Sequence, residues 1–166
     1  YMKLQKPAEA TRAFEQALKL EPGSSGPYVK LGTLYLQQGK RDRAVEAFKK
    51  AVAAQEAAEK DASGFKLLKK RFESEQNTDA YRGLALAQLQ QGKVDDAVTT
   101  LKRAVEKMPK DASARVALGE ALLAQGKADE AVEQFQERLK LEPTNDARLD
   151  LARAYTRKHV SKQAEP

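Results

Sequence analysis

The sequence predicts an all-α chain built from repeated antiparallel helix pairs. Three observations carry that expectation. A pattern of helix, glycine and helix occurs three times, at Gly32–Lys40, Ala85–Lys93 and Gly119–Lys127. The second and third copies lie 34 residues apart, and the first and second lie 53 apart, one period plus 19. Within each copy, apolar residues recur at helical spacing and no strand pattern appears.

In the first full copy Tyr28, Leu31, Gly32 and Tyr35 fall at i, i+3, i+4 and i+7, one face of a helix. Gly39 suits the left-handed residue that ends that helix, and Gly92 and Gly126 do the same in the other copies. Asp42 then sits in the first turn of a second helix, where the dipole favours an anion. Asp95 with Asp96 and Asp129 with Glu130 repeat the placement. Ala44, Phe48 and Ala51 form the apolar stripe of this second helix, answered by Ala97 and Leu101 and by Ala131 and Phe135. Pro22, Pro109 and Pro143 each close a second helix.

The helix after Lys40 meets no proline and continues through good helix formers to Lys60. Ser63 and Gly64 break it. Phe65, Leu68 and Phe72 follow at i, i+3 and i+7, interleaved with Lys66, Lys69, Lys70 and Arg71. This predicts an extra amphipathic basic helix within residues 59–77. One additional helix upsets a regular alternation of direction, so two blocks are expected, 1–58 and 78–166, joined by an irregular helical element.

The spacing Tyr28–Leu31–Gly32–Tyr35–Ala44–Phe48–Ala51 resembles the tetratricopeptide repeat (TPR). The resemblance covers about nine-tenths of the chain, and it implies a right-handed superhelical solenoid of helix pairs. It divides the chain into a partial repeat at 1–24, repeats at 25–58, 78–111 and 112–144, the insert at 59–77, and a partial repeat or capping helix at 145–166. The N-terminal piece matches through Tyr1, Ala10, Phe14, Ala17 and Pro22. The C-terminal piece matches through Leu151, Ala152, Tyr155 and Ala164, one residue early. Four positions depart from the family pattern. Gln88 and Arg115 replace large apolar residues, Arg138 replaces a small one, and His159 stands where glycine is expected.

Composition leaves little room for catalysis. The chain has no cysteine and one histidine, which removes disulfides, thiolate chemistry and cysteine-ligated metals. The Gly-Lys pairs are not phosphate loops, because Lys40, Lys93 and Lys127 are followed by Arg41, Val94 and Ala128 and no strand precedes them. The acidic pairs recur at one place in the repeat and read as helix starts. Lone His159 has no partner ligand for a metal. No catalytic residue, metal site or cofactor is expected.

What remains is a binding surface. In TPR proteins the first helix of each repeat lines a concave groove. Beside the packing stripe runs a second stripe: Val29, Thr33 and Leu36, then Arg82, Leu86 and Leu89, then Val116, Glu120 and Leu123, and Leu149, Arg153 and Thr156. Leucine recurs as Leu36, Leu89 and Leu123, which argues for packing at that place. The varying places, with Gln37 and Gln90 beside them, are the candidate partner contacts: Val29, Thr33, Gln37, Arg82, Leu86, Gln90, Val116, Glu120, Leu149 and Arg153. Some TPR modules clamp a terminal carboxylate with lysine, asparagine and arginine. The matching places here hold Val29, Lys30, Thr33, Gly83 and Leu86, so that clamp is not reproduced. A helix or extended segment of another protein, with apolar anchors, fits better.

A second surface is the basic insert, Phe65, Lys66, Lys69, Lys70, Arg71 and Phe72, an alternative route to nucleic acid or anionic membrane. The net charge of +6 invites that reading, but residues 59–77 hold five cations against four anions, so neither partner is favoured. Self-association through exposed apolar faces of the terminal repeats, at Tyr1, Phe14 and Leu151, is a further expectation. The chain starts and stops inside patterned segments, as a piece of a longer protein would. Absence of cysteine fits the cytoplasm and is equally compatible with an exported compartment.

Overall fold

The computed structural model describes residues 7–60 and 78–163. Tyr1, Ala164 and the proposed basic helix around Phe65–Phe72 lie outside them. The described residues form eight α-helices and no strand: α1 Pro7–Leu20, α2 Ser25–Gln37, α3 Arg41–Lys60, α4 Thr78–Gln90, α5 Val94–Lys107, α6 Ala112–Ala124, α7 Ala128–Leu141 and α8 Asn145–Gln163. The chain is all-α, as its periodicity predicts.

Helix ends follow local chemistry. Gly39, Gly92 and Gly126 have φ of 71°, 76° and 82°, the left-handed region in which a Cβ is strained. After α2 the Lys40 amide donates to the Tyr35 carbonyl at 2.9 Å and the Gly39 amide to Leu36 at 3.0 Å. After α6 the Lys127 and Gly126 amides do the same to Leu122 and Leu123. Both are Schellman closures. Helices α1, α5 and α7 stop two residues before Pro22, Pro109 and Pro143, because the residue ahead of a proline is driven out of the α region. Asp111 caps α6, accepting from the Ser113 and Ala114 amides at 2.8 and 3.1 Å.

The helices gather into two compact units, residues 1–91 and 92–166. This differs from the expected blocks in the placement of α4, which joins the first unit. The reason is the ring of Phe48 on α3, only 1% exposed. A Cβ at Gly32 of α2 would stand 2.7 Å from that ring, and one at Gly83 of α4 would stand 2.2 Å from it. One side chain thus occupies the gap left by two missing side chains and binds α2, α3 and α4 together. Ala44, Ala51, Ala80 and Ala87, each 0% exposed, let the backbones approach around it.

In the second unit Phe135 of α7 repeats the arrangement against Gly119 of α6, where a Cβ would meet the ring at 2.6 Å. Fully buried alanines mark one face of the first helices after α2: Ala80 and Ala87 on α4, Ala114 and Ala121 on α6, Ala147 and Ala154 on α8. The step from Ala114 to Ala147 is one residue shorter than the step from Ala80 to Ala114. The last helix therefore packs in the early register that its sequence indicates.

Two departures from the family pattern find partners. The Arg115 guanidinium donates twice to the Pro109 carbonyl, at 2.9 and 2.7 Å, and once to Gln134 at 3.2 Å. Arg138 of α7 pairs with Asp150 of α8, with side chains 13% and 18% exposed. A cation replaces the small residue by carrying its own counter-ion on the neighbouring helix. Gln88 is buried within α4, and His159 lies inside α8 and does not end it.

The packing separates two glycine substitutions on one helix. Gly32→Ala should destabilise the first unit by about 1–3 kcal/mol through overpacking of Phe48, although alanine is the better helix former. Gly26→Ala, with nothing within 4 Å of the added Cβ, should stabilise by up to about 1 kcal/mol. Denaturant melts of both variants measure the contrast. In the second unit, Asp150→Ala strands the Arg138 charge and should cost about 3 kcal/mol in the same assay.

Candidate partner-binding surface

The packing stripe of each first helix decides what the neighbouring stripe does. On α2, Leu31, Gly32 and Leu34 are buried, so Val29 is left half-buried and Thr33 and Gln37 exposed. On α4, Tyr81, Leu84, Ala85, Ala87 and Gln88 are buried. Arg82 is then half-buried, Gln90 is exposed, and Leu86 is 49% exposed. Helices α2 and α4 touch each other, and all six residues belong to the first unit. In the second unit Val116 is half-buried, and Glu120, Leu149 and Arg153 are exposed, Leu149 at 61%. All ten candidate residues reach solvent. The recurring Leu36, Leu89 and Leu123 are each half-buried, intermediate between packing and surface.

Local bonds tune this face. The Thr33 hydroxyl donates to the Val29 carbonyl at 2.9 Å, back into its own helix. Arg82 pairs with Asp79 at 3.2 Å, and Arg153 approaches Asp150 at 3.8 Å. The first is exposed on both sides and worth at most about 1 kcal/mol; in the second only Arg153 is exposed, Asp150 being covered and engaged by Arg138.

A set of contacts not anticipated from sequence fixes the first helices against the preceding second helices. The Gln91 amide donates to the Asp42 carboxylate at 2.6 Å. Gln125 donates to Asp95 at 2.6 Å, and Lys158 pairs with Asp129 at 2.5 Å. All three occupy the same place in the repeat. The acidic residues were expected to serve the helix dipole; they also act as acceptors for the next first helix. The available signal was a glutamine directly before Gly92 and Gly126. Asp129 holds the Lys158 ammonium above its usual pKa by hydrogen bond and charge. A second tie, Lys102 to Glu130 at 2.9 Å, holds the Glu130 carboxyl below the usual carboxylate range, chiefly through the hydrogen bond.

A cavity of about 360 Å³ opens between α1, α2 and α3, lined by Tyr28, Tyr35, Arg43, Glu46 and Lys50 among others. It uses the opposite stripe of α2, and none of the ten candidate residues lines it. Arg43 stands 6.0 Å from the Tyr35 ring centre, and Lys50 pairs with Glu46 at 2.9 Å. Among the described residues, no three His, Asp or Glu side chains gather as metal ligands, and no helix is long and apolar enough to cross a membrane.

Comparison with known proteins agrees with the repeat geometry. A model of the tetratricopeptide repeat matches residues 1–59, 29–112, 82–146 and 116–159. No curated protein matches the chain. Among solved structures, YrrB, described as a TPR protein with an unusual peptide-binding site, is similar at 23% identity and TM-score 0.65, over 92% of this chain and 70% of its own. MamA is similar at 24% identity and TM-score 0.67, over 99% and 90%. The first TPR domain of human RPAP3 is similar at 22% identity and TM-score 0.66, over 87% and 99%. At these identities the likeness concerns the fold.

The ties between repeats are measurable. A double-mutant cycle on Gln125→Ala and Asp95→Ala should give a coupling of about 0.5–1.5 kcal/mol in the second unit, read from denaturant midpoints. A coupling of zero would mean the contact does not hold α6 to α5.

Proposed function

The chain belongs to the tetratricopeptide repeat family, and on that footing we propose that it docks a segment of a partner protein on the exposed stripe of its first helices. The family supports a protein-interaction scaffold in general terms. The finer reading, a helix or extended segment held by apolar anchors and flanking polar groups, rests above all on Leu86. This leucine is half exposed on a helix whose packed residues are almost fully covered. It stands one turn from Arg82 on α4, a helix that touches α2 with Val29 and Thr33.

An apolar side chain in water one turn from a cation suits a ligand that brings one apolar anchor and a hydrogen-bonding group. The peptide-binding site named for YrrB supports the same class of ligand. The ties from Gln91 to Asp42 and from Gln125 to Asp95 keep the first helices in place before a partner arrives, which lowers the ordering cost of binding. The second unit carries a stripe of the same kind, through Val116, Glu120, Leu149 and Arg153, and it is a separate candidate surface.

The test is a crosslinking pull-down with the parent chain and with the double variant Arg82→Glu/Leu86→Glu. Both positions reach solvent, so the variant should melt like the parent. Binding of the recovered partner should weaken at least tenfold, about 1.4 kcal/mol. Undiminished binding would remove this face from the account.

A further inference from the structure

We propose that the cavity between α1, α2 and α3 accepts an arginine side chain of a partner protein. None of the residues of the partner-binding stripe lines this cavity, and the proposal does not depend on that stripe.

The second unit shows what the same place in the repeat can hold. Set in register, Pro22, Tyr28 and Ala47 of the first unit stand where Pro109, Arg115 and Gln134 stand in the second. The Arg115 guanidinium donates to the Pro109 carbonyl at 2.9 and 2.7 Å and to the side-chain oxygen of Gln134 at 3.2 Å. Lys102 of α5 pairs with Glu130 of α7 at 2.9 Å and joins these two second helices directly. In the first unit the guanidinium and its carboxamide acceptor are replaced by Tyr28 and Ala47, and both of these line the cavity. Its volume of about 360 Å³ lies at the low end of ligand pockets, roughly 300–1,000 Å³.

The lining suits an arginine part by part. The rings of Tyr28 and Tyr35, both half-buried, supply aromatic surface for a planar cation. The approach of Arg43 to the Tyr35 ring, 6.0 Å from its centre, is an example within the chain. Leu18 and Leu31 also line the cavity and offer apolar surface to the methylenes of a long side chain. Four charged side chains reach the cavity: Glu15, Arg43, Glu46 and Lys50. Lys50 and Glu46 neutralise each other at 2.9 Å. Glu15 and Arg43 take the places of Lys102 and Glu130 with the charges exchanged, but Arg43 lies by Tyr35. Glu15 is exposed and has no ion-pair partner among the described residues. A cation completes this set, and an anion would meet the Glu15 charge uncompensated.

An NMR titration of the 166-residue chain with N-acetyl-arginine methylamide tests this, with the matching lysine and glutamate derivatives as comparators. The arginine probe should shift the resonances of Glu15, Tyr28 and Tyr35 saturably, and the other two probes should not saturate. Glu15→Gln, at an exposed position, should weaken the arginine probe about threefold. The double variant Tyr28→Arg/Ala47→Gln copies the second unit into the first and should abolish the shifts by filling the cavity from within. Its denaturant midpoint should stay at the parent value, which separates filling from unfolding. If the midpoint falls, Glu15→Gln alone decides. A parent that gives no saturable shift overturns the proposal. So does equal saturation by the lysine or glutamate probe, or undiminished binding in Glu15→Gln.

Discussion

Helix backbones can approach closely only where one of them presents no side chain, and this structure depends on where that happens. The ring of Phe48 lies in a gap formed by Gly32 and Gly83, one residue from its own repeat and one from the next. Packing at crystal-like density leaves no slack around such a ring. The same ring therefore closes the helix pair and sets its neighbour against it. Phe135 against Gly119 does the first of these tasks in the second unit. Once the stripe containing Leu31, Gly32 and Leu34 is committed inward, helical geometry turns Thr33 and Gln37 outward. The candidate surface is a by-product of the core.

Local features were legible in the sequence. The glycine stops, the proline ends and the small-and-aromatic stripes all act over a few residues, and the helices follow them. The links between repeats were not, because they join residues remote in sequence. Asp42 and Gln91 are 49 positions apart and Asp95 and Gln125 are 30 apart. Nothing local marks a carboxylate as an acceptor for a distant amide, and the helix dipole already accounted for its presence. Arg115 and Arg138 read as defects until the Pro109 carbonyl and the Asp150 carboxylate were beside them. The grouping of α4 with α3 was hidden for the same reason: Gly83 has no signature except the ring that fills its space.

The candidate surface was legible in position but not in use. Its residues sit one step from the packing stripe, so their exposure follows from periodicity alone. Variation from Val29 to Arg82 to Val116 is what either a recognition face or an ordinary wet face produces. The proposed reading therefore rests on Leu86, apolar and half exposed among covered neighbours.

The ties between successive repeats differ in kind. Gln91 and Gln125 bring neutral amides to their carboxylates, whereas at the same place α8 brings the full charge of Lys158 to Asp129 of α7. Full charge pairs near the surface are screened as salt rises, while amide hydrogen bonds respond less. Ionic strength therefore acts unequally along the second unit, weakening the Lys158–Asp129 tie more than the Gln125–Asp95 tie, while the covered Arg138–Asp150 pair is screened less. The array carries a graded cohesion, written in the choice between a carboxamide and a cation at one repeating position.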